Sequence, residues 1–232
     1  MVIKGSVKGN QMRTNTISIF AWLFCLNCLW GQIPAKENDK LTIPREGHTP
    51  PEGYFIGLVT TTSFKFTSVY GKIEVPIYAV QKIERKDEKT EILFTWNNEK
   101  ITGFIATEMF YFQFPSGQIV GIPSAYITKY EFTKRRDTPL NHKDYLAMKN
   151  GDEFHGQVVD TRFKFATSHS PMNISVSSII RMEDADGQTK LDLSDGATVV
   201  GKIDANFVNV MSNYGFKLKV PLSNIKSIQI FR

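Results

Sequence analysis

The chain has 232 residues, with 28 Lys and Arg against 23 Asp and Glu, giving a formal net charge of +5. Three of these basic residues and none of the acids lie in the first 32 positions, so the rest of the chain carries 25 basic and 23 acidic residues, a balance of +2. A nearly neutral chain gives no electrostatic reason to expect nucleic acid or an anionic lipid surface as its partner.

Residues 1–32 are predicted to be a secretory signal peptide. Three basic residues precede an apolar run from Ile17 to Trp30, which is shorter than the roughly 20 residues that a membrane span needs. A retained N-terminal anchor is the alternative. Cys25 and Cys28 both lie in this segment, so the mature chain is expected to have no disulfide, no thiol nucleophile and no cysteine metal site. With the apolar run assigned to the signal peptide, the mature chain is also expected to have no membrane span.

An irregular lead-in is expected over residues 33–50, with one strand-like piece at residues 41–43. Four copies of a repeat of about 45 residues then follow, and each copy contains one glycine inside a strand pattern. These glycines are 46, 53 and 45 residues apart, at Gly57, Gly103, Gly156 and Gly201. Each glycine is expected to permit a bend or bulge that lets a small sheet curl.

Two further features keep the register of the repeat. Seven and nine residues after each glycine stands an apolar pair that shares one strand face and is expected to be core. A Val-Pro or Ile-Pro step follows in three copies and predicts a strand end, because proline cannot donate to a ladder. The apolar pairs are Phe64/Phe66, Phe110/Phe112, Phe163/Phe165 and Val208/Val210.

Each copy is predicted to form five short strands, so the fold class is all-β, built as small barrels or curled sandwiches. Copy three follows copy one by 99 residues and copy four follows copy two by 98, which indicates a duplicated pair. One copy is too small to bury a sufficient core alone. We therefore expect two domains, residues 51–132 and 148–232, with an exposed linker over residues 133–147.

The segment Met148-Lys149-Asn150-Gly151-Asp152 followed by Gly156 resembles the "leucine, x, asparagine, glycine, aspartate" repeats of bacterial periplasmic and outer-membrane-associated proteins of mostly unassigned function. The strand plan is also similar to Sm-like and SH3-like five-stranded barrels. The resemblance implies an exported envelope protein. An Sm-like RNA-binding role is not favoured, because the Asp and Asn residues of copy four do not have the spacing of that family and the other copies lack them.

Tyr111 is the candidate partner-contact residue. Strand alternation places Phe110, Phe112 and Phe114 on one face and Tyr111 on the other. Its ring could stack on a sugar or anchor a protein partner, and packing between adjacent repeats is the alternative.

The sequence gives no catalytic, cofactor-binding or metal site. Four histidines are scattered along the chain, and His155 and His169 could approach each other across a hairpin, but no third ligand is defined. The acids Glu153, Asp160, Glu183 and Asp184 have no spacing that would pair two of them for glycoside hydrolysis.

We therefore predict a non-enzymatic protein that is exported to the periplasm or outer envelope. Its repeats are expected to bind or scaffold an envelope protein or polysaccharide, because stacked copies create extended surfaces. The alternative is a hydrolase that acts on a cell-envelope polymer. The oligomeric state does not follow from the sequence.

Overall fold

A computed structural model describes residues 38–45, 52–134 and 140–231, which all belong to one compact unit, Lys36–Arg232. The described residues form twenty β-strands, and the only helical pieces among them are single 3-10 turns of three residues. The predicted all-β fold is confirmed. The signal peptide predicted over residues 1–32 lies outside the described residues, as do residues 46–51 and residues 135–139 of the predicted linker.

Ten strands make up the first half of the unit and ten the second. The first ten are β1 (Asp39–Pro44), β2 (Glu52–Val59), β3 (Ser63–Ser68), β4 (Gly71–Pro76), β5 (Val80–Arg85), β6 (Glu91–Thr95), β7 (Lys100–Ile105), β8 (Met109–Gln113), β9 (Ile119–Pro123) and β10 (Lys129–Glu131). The second ten are β11 (Asp144–Met148), β12 (Glu153–Val158), β13 (Arg162–Ala166), β14 (Pro171–Ser175), β15 (Ile179–Ala185), β16 (Gln188–Leu193), β17 (Thr198–Ile203), β18 (Phe207–Ser212), β19 (Lys217–Pro221) and β20 (Ile225–Gln229).

Antiparallel pairing places the first ten strands in the order β4, β3, β7, β6, β5, β10, β1, β2, β8, β9. The second ten follow the same order, with β14 in the place of β4 and β19 in the place of β9. Between the strands of the two halves there is one ladder pairing, of Lys100 on β7 with Glu153 on β12. The division into two domains, residues 51–132 and 148–232, stays a prediction, and the described residues of both halves belong to one compact unit.

The strands of one predicted copy do not pair only with one another. Copy four supplies β16 to β20, yet its β17 pairs with β13 and its β18 pairs with β12. Copies one and two exchange strands in the same way, through β3 with β7 and β2 with β8. The ten-strand order of each half is therefore assembled from the interleaved strands of two copies.

The turns explain this exchange. Tight two-residue hairpins need residues with positive φ. Positive φ occurs in the turns that join β3 to β4 and β6 to β7, at Gly71 and Asn98, and in those that join β16 to β17 and β18 to β19, at Gly196 and Gly215. The longer β13–β14 turn, residues 167–170, closes without a positive φ. Residues 60–62, between β2 and β3, contain none, and neither do the corresponding connectors 106–108, 159–161 and 204–206. The chain therefore crosses to the other copy at these connectors instead of folding back.

The mid-strand glycines mark the places where the exchanged strands meet. A Cβ added at Gly103 would lie 2.3 Å from the Thr67 carbonyl oxygen and 2.6 Å from Cε1 of Phe66. Gly57 meets Gln113 and Phe112 in the same way, and none of the four has a positive φ or lies at a register shift. The expected bulge is therefore absent. Glycine is required because the backbone and a core side chain of the paired repeat occupy the space of a side chain.

The core is built from the apolar faces of the strands, as the apolar pattern predicted. All eight residues of the apolar pairs are buried, with at most 4% of any of them exposed. The Val-Pro and Ile-Pro steps end β4, β9 and β19, each followed by a 3-10 turn. Both predictions are confirmed.

Two boundaries differ from the sequence prediction. The lead-in contains a full strand, β1, which pairs with both β2 and β10 because Leu41 and Ile43 belong to the core. The predicted linker likewise contains most of β11, which pairs with β12 and β20. Buried Asp39 and Asp144 fix these two strands, since their carboxylates accept hydrogen bonds from the backbone N–H groups of Val59 and Val158.

Candidate functional site

Exposed apolar side chains cover the outer surface of β2, β8 and β9. Leu58 is opposite Gln113, which is opposite Ile119 on the next strand, and Tyr111 is opposite Gly121. The exposed fractions are 41% for Leu58, 54% for Tyr111 and 56% for Ile119. Met109, 36% exposed, lies two residues from Tyr111 on the same strand face. We call Leu58, Met109, Tyr111 and Ile119 the apolar face.

Tyr111 is the residue predicted to contact a partner, and its backbone is held rigidly. Its N–H donates to the Thr61 hydroxyl (3.0 Å), and its carbonyl accepts from the Thr60 N–H (2.8 Å). Its side chain leans over Gly121, where a Cβ would lie 3.6 Å from the ring and 2.7 Å from Cε of Met109. The alternation that separates Tyr111 from Phe110 and Phe112 is confirmed, because both phenylalanines are fully buried.

The second half builds the same surface from polar residues. The positions of the apolar face correspond to Gln157 on β12, Phe207 and Asn209 on β18, and Lys217 on β19. Of these four residues only Phe207 is a large exposed hydrophobic. The fold itself therefore does not require apolar side chains at these outward positions. The sequence indicates Tyr111 but not the face around it, because no periodicity shows that β2, β8 and β9 are neighbours.

A polar centre built around Asp152 joins the two halves. Its side chain is fully buried and accepts hydrogen bonds from the hydroxyl of Tyr70 (2.8 Å), the N–H of Thr102 (3.0 Å) and the amide of Asn150 (3.0 Å). Thr102 adds its hydroxyl at 2.5 Å. Burial and the nearby carboxylate raise the pKa of the Tyr70 phenol above its ordinary range, so this phenol remains a donor.

Glu99 plays the reciprocal role on the other side of the junction. Its carboxylate accepts from the backbone N–H of His155 (3.1 Å) and from the hydroxyl of Thr95 (3.0 Å). Only 2% of the residue is exposed. Removal from water raises the pKa of the Glu99 carboxyl to about 7, against the opposing effect of these hydrogen bonds. Both acids thus tie the halves together, a role that the sequence did not reveal.

Glu99 should make the stability of the protein depend on pH. Its pKa is raised on folding, so the folded state holds a proton that the unfolded state has lost between about pH 4.5 and 7, and stability falls as pH rises through this window. A shift of this size corresponds to about 3 kcal/mol. Between pH 5 and pH 8, the free energy of unfolding measured in urea should fall less for Glu99→Gln than for the parent. An equal fall in both proteins would show that Glu99 is not the cause, since the histidines are common to both.

An open cleft of about 720 Å³ lies next to the junction, between the Asn97 turn of the first half and β11 and β12 of the second. His155 lines it and packs against the Tyr145 ring, with 5.1 Å between the ring centroids. His142 lines it too, and its N–H donates to Asn213 (2.7 Å). His48 lies outside the described residues.

The structure does not gather the histidines and acids of the sequence analysis into one site. His169 lies in the exposed β13–β14 turn, bonded to Ser168 at 2.9 Å. Asp160 accepts from the N–H of Asn209 (2.7 Å), Asp184 pairs with Lys149 (3.0 Å), and Glu183 pairs with Arg181. Within residues 38–45, 52–134 and 140–231, no group of three His, Cys, Asp or Glu side chains could hold a metal ion.

No helix in the described part of the chain is long and apolar enough to cross a membrane. Comparison with family models, with curated protein sequences and with solved structures finds no match to this chain. The candidate sites are therefore defined by the geometry of this chain alone: the apolar face, and the polar junction between the halves.

Proposed function

We propose that this protein is a non-catalytic binding or scaffolding module of the bacterial envelope, and that it holds its partner on the apolar face. One observation carries the proposal. Two halves with the same strand order place apolar residues at these outward positions in the first half and mainly polar residues in the second. Exposed apolar residues that the fold does not need are typical of an interaction surface.

Tyr111 is the anchor of this surface. A tyrosine loses little conformational entropy on binding and combines a large apolar area with one hydrogen-bonding group. Its backbone is already fixed by Thr60 and Thr61, and its ring lies beside Gly121 on the neighbouring strand. Such a pre-organised aromatic side chain contributes strongly to affinity in protein interfaces.

Photo-crosslinking tests the proposal. A photoreactive phenylalanine analogue at position 111 should trap one defined partner when the protein is expressed in its bacterial host, and the same analogue at position 209 should not. Tyr111→Ala should weaken binding of the isolated partner by at least about tenfold, since a central aromatic residue commonly contributes more than about 1.4 kcal/mol.

Phe207→Ala serves as the matched control, because Phe207 is a similarly exposed aromatic residue at the corresponding surface of the second half. Its affinity for the partner should equal that of the parent. Equal loss in both variants, or the same partner trapped from positions 111 and 209, would show that the apolar face is not the binding surface.

A further inference from the structure

One edge of β2 is open over part of its length. β1 pairs with β2 from Glu52 to Gly57, whereas β8 pairs with it only at Leu58 and Val59. In the part of the chain that the structure describes, no strand pairs with Tyr54 or Ile56 on the β8 side. Their side chains are 55% and 40% exposed. An open strand edge with apolar side chains is a template for pairing with another chain.

The junction between the halves shows how this fold uses such an edge. β7 and β12 are open in the same way, and they meet antiparallel with Lys100 opposite Glu153. Around this pair, the N–H of Thr102 donates to Asp152, which directly precedes β12, and the N–H of His155 donates to Glu99, which directly precedes β7. The contact is reciprocal, so the junction has a local two-fold relation.

β2 occupies in the first half the place that β12 occupies in the second. Counted from Gly57 and Gly156, Tyr54 takes the place of Glu153, and Gly53 that of Asp152. β2 therefore has no side chain at the position from which Asp152 reaches the neighbouring strand. Two such edges can approach closely enough for direct backbone hydrogen bonds.

We propose that the protein forms a two-fold symmetric dimer in which the β2 edges of two molecules pair antiparallel, centred on Tyr54. Each Tyr54 then faces the Tyr54 of the second molecule, and Ile56 faces Glu52. This arrangement repeats the internal junction of β7 and β12, with apolar contacts and backbone bonds in place of the buried acids. An isologous contact of this kind uses the same surface on both molecules, so the assembly is complete with two molecules.

The open edge of β17 is the competing surface. Thr198 takes the place of Tyr54 there, and Val200 is exposed, so this edge offers less apolar area. Pairing of β2 with β17 of a second molecule would be head-to-tail and would build chains of increasing length instead of a dimer. The two arrangements therefore predict different masses.

The dimer goes beyond the proposed partner binding and does not depend on it. Tyr111 lies level with Thr60, since their backbones are hydrogen-bonded, and is thus six residues along β2 from Tyr54. At the rise of an extended strand this is about 20 Å. A variant at position 111 can therefore test partner binding without touching the dimer contact.

Analytical ultracentrifugation of the protein, purified in the form in which its host makes it, tests the proposal. The parent should shift from monomer to dimer between about 1 and 200 µM, the range of weak self-association. Tyr54→Lys and Tyr54→Glu should each raise the dimer Kd at least about tenfold, because like charges then meet on the axis. An equimolar mixture of the two variants should recover the dimer, because opposite charges meet there.

Thr198→Lys and Tyr111→Ala are the matched controls and should leave the dimer Kd unchanged. Circular dichroism should show both Tyr54 variants folded, since the altered side chain is exposed. A parent that stays monomeric up to about 200 µM would overturn the proposal. So would a mass that grows beyond the dimer with concentration, disruption by Thr198→Lys, or a mixture that stays monomeric.

Discussion

Gly103→Ala is expected to destabilise the protein by about 3 kcal/mol, the upper end of the usual cost of overpacking a core. The added Cβ would lie 2.3 Å from the Thr67 carbonyl oxygen and 2.6 Å from the buried ring of Phe66. The ring could rotate, but the carbonyl belongs to β3, which pairs with β7 at this point. Relief therefore requires the two exchanged strands to separate. Urea denaturation at a constant m-value measures this loss.

Gly117→Asn is the matched control. Gly117 has a φ of +86°, with nothing within 4 Å of an added Cβ, and asparagine tolerates the left-handed region. Its cost should be below about 1 kcal/mol. This pair of variants separates two uses of glycine, exclusion of a side chain and access to positive φ. Equal destabilisation by both substitutions would contradict the close approach of the exchanged strands.

Asp152→Ala is expected to cost about 4 kcal/mol, because it leaves the Tyr70 hydroxyl and the Thr102 N–H without their acceptor. A buried donor that loses its partner costs more than the hydrogen bond contributed. Tyr70→Phe removes one donor together with its need for an acceptor, and should cost only about 1 kcal/mol. In the double variant the two costs should not add, because both substitutions affect one hydrogen-bonded group.

Hydrogen exchange shows whether Asp152 acts at the junction. In Asp152→Ala the amides of Thr102 and His155 should exchange faster than in the parent, while the amides of β13 and β14 keep their protection. Asp160→Ala is the control, since Asp160 bonds to Asn209 within the second half. It should lower stability and leave the Thr102 amide protected. Faster exchange at Thr102 in both variants would indicate general loosening instead of a role at the junction.

Local chemistry along the chain determined the strands of this protein. Alternating apolar residues predicted β3, β8, β13 and β18 and their buried faces, because a period of two places one set of side chains on the core side. The proline steps predicted the ends of β4, β9 and β19, because proline cannot donate to a ladder. The outward direction of Tyr111 follows from the same alternation.

Only the tertiary structure decided which strands are neighbours. Gly57 and Gly103 suggested bends. Glycine is needed there because the backbone and a phenylalanine ring of the paired repeat occupy the space of a side chain, which no local pattern encodes. For the same reason the junction of Glu99 and Asp152 and the contiguity of the apolar face could not be predicted. Alternation fixes the face on which a side chain lies, whereas pairing between distant segments depends on connectors that lack a hairpin turn and on the combined burial of both copies.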